Sequence, residues 1–175
     1  MSDTFIIPTL STERLVLRAP GLQDAPQHAA FYASDRTNFV GGPLTAELAW
    51  RNPAMELGHW ALRGFGRWAV TEKGNDTAIG IVGLWHPMGF PENELGWDLF
   101  DGATGKGYAT EAARAARNYA YDRLGWTTLT SMIDPKNTGS AAVATRLGAA
   151  FDYDFDHERF GSIQIWRHPG PEALT

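Results

Sequence analysis

The period of the apolar pattern changes abruptly at Thr104-Gly105-Lys106-Gly107-Tyr108-Ala109-Thr110-Glu111-Ala112. Before it, residues 67–71, 78–85 and 94–100 read as three successive strands, with Gly74-Asn75-Asp76 as a hairpin turn between the first two. After it, Ala109, Ala112, Ala113, Ala116, Tyr119, Ala120 and Leu124 recur at helical spacing as far as Gly125, a natural terminator. A strand passing directly into a long helix through two glycines confines the chain to mixed α/β. Three strands in a row require an antiparallel meander inside the sheet.

The remaining segments fill in around that junction. Residues 13–18 alternate polar and apolar like a half-buried first strand. Asp24 is placed to cap a helix over 25–32, with Pro26 in its first turn. A weaker helical stretch follows Thr45, and Pro53 interrupts it. Residues 126–133, rich in Thr and apolar side chains, form a strand. Asn137 caps a short helix ending at Leu147 and Gly148, and 151–155 with 162–166 close the chain as a strand pair. No repeat, low-complexity tract or linker divides the sequence, so one domain over 1–175 is expected; a chain of this length can bury about 70% of its extended surface.

Composition removes whole classes of chemistry. There is no cysteine, so disulfides, thiolate metal sites and a thiol nucleophile are excluded. His28, His59, His86, His157 and His168 include no pair spaced for one helical face, so no metal site is expected. The net charge of −5 argues against nucleic acid or an anionic membrane as partner, since both need a concentrated positive field. It mildly favours an amine partner, although solubility alone explains it equally well. The N-terminus lacks the basic and apolar regions of a signal peptide, and the longest uncharged stretch, 77–91, is too short and broken to span a bilayer. A cytoplasmic, soluble protein is the expectation.

The glycine junction presents consecutive backbone N–H groups at a helix N-terminus, where unpaired amides and the helix dipole both favour an anion. Lys106 adds a positive charge at its rim. A capped glycine turn without a ligand fits the segment equally well. A nucleotide P-loop fails, because Phe100 stands at its first glycine and Gly107 replaces the Ser or Thr after Lys106. A dinucleotide fingerprint also fails, with Thr110 at its third small position and an antiparallel meander ahead of it.

The same run resembles the acyl-coenzyme A loop of the GNAT superfamily of N-acetyltransferases, Gln/Arg-x-x-Gly-x-Gly/Ala, with Thr104 departing at the first position. Gly105-Lys106-Gly107-Tyr108-Ala109-Thr110-Glu111-Ala112 is similar to the RimJ/RimL-like branch, which acetylates protein N-termini and small amines. So are Thr12-Glu13-Arg14-Leu15-Val16-Leu17-Arg18, Gly80-Ile81-Val82-Gly83-Leu84, Glu94-Leu95-Gly96-Trp97, and Asn137-Thr138-Gly139-Ser140 with Leu147-Gly148. The resemblance implies a largely antiparallel central sheet, flanked by helices and splayed between its fourth and fifth strands. It implies acetyl-coenzyme A as co-substrate, with no metal. Thr104, Gly105, Lys106, Gly107, Tyr108, Ala109 and Thr110 would cradle the pyrophosphate. Trp97 and Leu99 would hold the pantetheine by main-chain bonds, and Asn137 would contact it.

For catalysis, the resemblance places an acidic tyrosine seven residues after Asn137, where this chain has Ala144. Ser140 is the alternative donor to the leaving thiolate, and it reads equally well as a helix-start serine. Glu94 is the candidate base, because an alkylammonium of pKa around 10 must lose a proton before it can attack. Asp98 falls near the same cleft, unless a bulge changes its face. Trp60, Trp68, Trp85 and Trp97 are candidates to line an acceptor pocket, but such residues are more often core and are left out of the site. The expected activity is acetyl transfer to a primary amine by direct attack; the alternative is a non-catalytic acyl-coenzyme A-binding module. The acceptor carries no motif, and the antiparallel C-terminal strands leave a homodimer open.

Overall fold

The structure, a computed structural model, describes residues 6–174. Its sheet runs β1 (Leu10–Ser11), β2 (Leu15–Arg18), β3 (Arg67–Glu72), β4 (Ala78–Trp85), β5 (Glu94–Leu99), β6 (Thr130–Ile133), β8 (Gly161–Arg167), β7 (Ala150–His157) in spatial order. Every neighbouring pair is antiparallel except β5 and β6, which are parallel because helix α4 (Tyr108–Leu124) crosses between them. The alanine face of α4 explains how closely it lies on the sheet. Ala112, Ala113, Ala116 and Ala120 are fully buried against Leu15, Leu17, Val82, Leu84 and Leu95. Each such leucine or valine contributes about 1.5–3 kcal/mol by leaving water. The opposite face of β3 and β4, at Ala69 and Ile81, is covered by α1 (Ala25–Tyr32) and α2 (Ala46–Ala49) through Phe31, Tyr32 and Ala49.

Mixed α/β architecture and the element order agree with the sequence reading, and four details differ. Pro53 does not interrupt a helix: it sits in the first turn of α3 (Arg51–Arg63), where its missing N–H costs nothing. Residues 126–129 precede the strand, because the Trp126 N–H closes onto Ala120 O as part of the α4 stop. Asp24 precedes α1 but does not cap it. Arg18, at 2.7 Å, and the Gly21 N–H, at 2.9 Å, take its carboxylate instead. A short β1 had no periodic signal, being two residues long.

The fourth and fifth strands of the sequence reading, now β5 and β6, share a single register pair, Glu94↔Thr130. Beyond it β6 turns to β8, and a wedge opens beside β5, with α5 (Thr138–Arg146) across its mouth. Among the described residues, no helix is long and apolar enough to cross a membrane.

Candidate active site

The wedge exposes main chain in a set order. The Phe100 N–H bonds Ile79 O at 2.9 Å, so the alternation of an antiparallel ladder turns the polar groups of Leu95, Trp97 and Leu99 away from β4 and into the wedge. Leu95 O is taken by the Ser131 hydroxyl at 2.6 Å, and Leu99 O by Arg36, whose other nitrogen pairs with Asp101 at 2.5 Å. That leaves the main chain of Trp97 and the N–H of Leu99 facing a cavity of about 700 Å³.

At the far end of this cavity stands the glycine turn. Gly105 and Gly107 have φ of +78° and +80°, in the left-handed region that other residues enter only with strain. Gly107 is the N-cap of α4, so the N–H groups of Tyr108, Ala109 and Thr110 lack helical partners and line the cavity with Thr104, Gly105 and Gly107. Lys106 does not join them: its ammonium lies over the Tyr108 ring, 5.8 Å from the centroid. The turn is braced by residues just ahead of β2. Arg14 donates to Lys106 O at 3.0 Å and pairs with Glu111 at 2.6 Å, while the Thr12 hydroxyl reaches Glu111 at 2.6 Å. Arg146, on α5, lines the same cavity with no carboxylate in salt-bridge range among the described residues.

A second cavity, of about 340 Å³, continues from the first. The two share Phe39, Val40, Trp97, Asp98, Asn137 and Ser140. At this junction Asn137 accepts the Ser140 N–H at 3.1 Å, an N-cap bond, and Ser140 Oγ accepts the Trp97 indole N–H at 3.3 Å. Ser140 donates to no acceptor among the described residues, so its proton is available to the cavity. Ala144 faces the other way, fully buried against Ile133 and Ala149.

Glu94 lies in the wall of the second cavity at the apex of the wedge. Loss of hydration pushes its carboxyl up to about 7, despite the Met132 N–H that Oε1 accepts at 3.3 Å. Oε2 has no hydrogen-bond partner among the described residues. Behind it, buried Asp98 accepts from Arg67 at 2.8 Å, and Arg67 also pairs with Glu56, which is fully buried on α3. Burial pushes the Glu56 carboxyl up even beside that guanidinium. No group of three or more His, Asp or Glu side chains fit for a metal ion occurs among the described residues.

The comparisons with known proteins agree with this geometry. A family model described as an acetyltransferase (GNAT) domain matches residues 14–150. The chain belongs to the GNAT acetyltransferase family. It is 38% identical to an acetyltransferase from Agrobacterium tumefaciens of known structure, with a TM-score of 0.85 over 96% of this chain and 98% of that one. It is 30% identical to the uncharacterized N-acetyltransferase p20 of Bacillus licheniformis, over 79% of this chain and 80% of the relative. At 13% identity the likeness to RimL, a ribosomal L7/L12 α-N-protein acetyltransferase solved with coenzyme A, shows the fold alone; the TM-score is 0.76 over 93% of this chain and 98% of that one.

Within this acetyltransferase, the structure brings Trp97, Ser140 and Asn137 to one junction, puts Glu94 in the wall of the second cavity, and sets Thr104, Gly105 and Gly107 through Thr110 at the far end of the larger cavity. Lys106 stays outside, and the Leu99 carbonyl is already occupied. Of the four tryptophans read as core, Trp60 and Trp68 are buried, whereas Trp85 and Trp97 line cavities. Sequence reasoning missed Arg146, Arg67 and Glu56. For Arg146 a signal existed, a basic residue one helix away from the glycine turn. The Glu56–Arg67 pair joins two elements with no local pattern linking them.

Proposed function

We propose that this protein is an acetyl-coenzyme A-dependent N-acetyltransferase of the RimJ/RimL-like branch, one cytoplasmic domain that acetylates a primary amine by direct attack. The observation that carries the reading is the meeting of two cavities at Trp97 and Ser140, one ending in free helix amides, the other holding a carboxyl raised to about 7. The residues fit the coenzyme: α4 amides and Arg146 suit phosphates, and the unpaired main chain of Trp97 suits an amide-bearing pantetheine arm.

In the reaction the amine nitrogen bonds the thioester carbonyl carbon, and the carbon–sulfur bond breaks. Glu94 takes the amine proton at Oε2, directly or through water, and Ser140 Oγ passes a proton to the departing thiolate while regaining one from solvent water. A group near 7 is well matched to that task, since near neutral pH it is partly ionised yet basic enough to accept. The Trp97 indole N–H holds Ser140 in place.

Absence of a tyrosine at Ala144 supports the second reading, a non-catalytic acyl-coenzyme A-binding module. Turnover separates them. Acetyl-coenzyme A should stabilise the fold by about 2.7 kcal/mol at a hundredfold excess over its Kd, and an amine should then release free thiol. Stabilisation without release by any amine would favour the binding module; a thermal shift with ATP but none with acetyl-coenzyme A would overturn both readings. A homodimer through the edge strand β7 would bring exposed Asp154 and Asp156 against a second copy, while Asp152 is already paired with Arg167.

A further inference from the structure

The second cavity has a charged inner end and an apolar mouth, and the two ends set different requirements. At the inner end, Glu94 offers an unpartnered oxygen, while Arg67 is over-matched by two carboxylates, Glu56 and Asp98. A carboxylate next to the entering amine would meet Glu94 and Asp98, with Arg67 already matched and the cavity's other guanidinium, Arg159, engaged with Gly41 O and Phe160 rather than with Glu94. Free α-amino acids, whose carboxylate lies one carbon from the amine, are therefore disfavoured.

The mouth is formed by Phe39, Met55 and Met88, which are 39%, 45% and 96% exposed. Three of the large apolar side chains left in water thus converge on one opening, a costly arrangement that an apolar ligand would relieve. Trp85 supplies a rigid wall between them and Glu94. Its ring stacks on His59 at 4.2 Å, and the Arg67 guanidinium lies 4.8 Å from its centroid. His59 is itself fixed, with Nδ1 at 2.8 Å from Phe65 O and Nε2 accepting the His86 N–H at 3.1 Å. Arg159 closes one side, anchored on Gly41 O at 3.2 Å and lying over Phe160. A second ammonium at the mouth would face that guanidinium, which disfavours polyamines.

Resting on the function proposed above, we infer that the acceptor is a small monoamine on an apolar, aromatic-sized body, with no carboxylate beside the amine. The amine enters first toward Glu94, and the body fills the space between Trp85 and the methionine rim. A peptide N-terminus fits less well, because its peptide groups would cross the Phe39, Met55 and Met88 opening without hydrogen-bond partners.

The test compares phenethylamine, spermidine, free phenylalanine and a short Phe-led peptide as acceptors for the full chain with acetyl-coenzyme A, following thiol release. Phenethylamine should give a kcat/KM at least tenfold above the others. Met88→Lys, at a freely exposed position, should lower it by roughly tenfold without changing the thermal shift with acetyl-coenzyme A, since a pocket contact is worth on the order of tenfold in specificity. Phenethylamine alone should also change the fluorescence of Trp85 and Trp97, which reads binding without turnover. A preference for spermidine, phenylalanine or the peptide would overturn the inference, as would phenethylamine that neither binds nor reacts. Phenethylamine binding with no response to acetyl-coenzyme A would instead overturn the acetyltransferase mechanism and leave the pocket assignment standing.

Discussion

The coenzyme cavity and the acceptor cavity share a wall but are built from different materials. The first is mainly backbone: the amides of Tyr108 to Thr110, two left-handed glycines and the unpaired groups of Trp97. The second is mainly side chain, drawn from α1, α3, four strands and the β7–β8 hairpin. Backbone offers the same donors whatever the side chains, so such a cleft suits a ligand common to a whole family. A cavity of side chains changes with each substitution, so it suits the ligand particular to one member. The same contrast separates binding from chemistry, because the perturbed carboxyl lies on the acceptor side.

Variants on either side of the shared wall should therefore fail differently. The largest effect is expected on the acceptor side: Glu94→Gln should lose on the order of 10²-fold in turnover while binding acetyl-coenzyme A normally. It should also melt higher than wild type at pH 8. The folded protein holds the Glu94 proton to about pH 7, whereas the unfolded chain releases it near 4.5, so wild-type stability falls as pH rises through that window. Glutamine, always neutral, escapes the loss. Thermal melts at pH 5 and pH 8 measure it, and a variant less stable than wild type at both would break the contrast.

On the coenzyme side, Gly107→Val forces a β-branched residue to φ of +80°, a strain of about 1–3 kcal/mol that displaces the cradle amides. Coenzyme Kd from calorimetry should weaken by at least roughly tenfold, since 1.4 kcal/mol is a factor of ten. Lys106→Ala should leave it nearly unchanged, and equal losses in the two would mean that side-chain charge, not backbone, holds the ligand. At the junction, Ser140→Ala should reduce kcat by on the order of tenfold, with coenzyme Kd constant; unchanged kcat would leave Ser140 a helix-start residue only. Arg146→Ala removes an exposed cation and should weaken coenzyme binding only a few-fold, and less so at high salt. A salt-independent loss would point to a packing role.

What could be read in the sequence follows the same division. Gly105, Gly107, Asn137 and the alanine ladder of α4 are local patterns, each tied to a backbone conformation or a helix end, and they fell where expected. The Glu94 and Ser140 positions became legible only through the family resemblance, since a strand carboxylate and an N3 serine are ordinary residues on their own. Glu56–Arg67–Asp98 was invisible because three separate elements build it. Pro53 misled for a related reason: a proline marks a helix boundary but does not say on which side the helix lies.

The most direct measurement is the pH dependence of kcat/KM for an accepted amine, in wild type and in Glu94→Gln. With Glu94 as base, the wild-type rate should climb through a limb near pH 7, where the half-buried carboxyl loses its proton, and should climb again only as the amine itself deprotonates. In the glutamine variant the limb near 7 should vanish, leaving a rate that approaches wild type only at high pH. The same limb in both proteins, with equal rates at pH 7, would contradict the assignment of Glu94 as the group that accepts the proton.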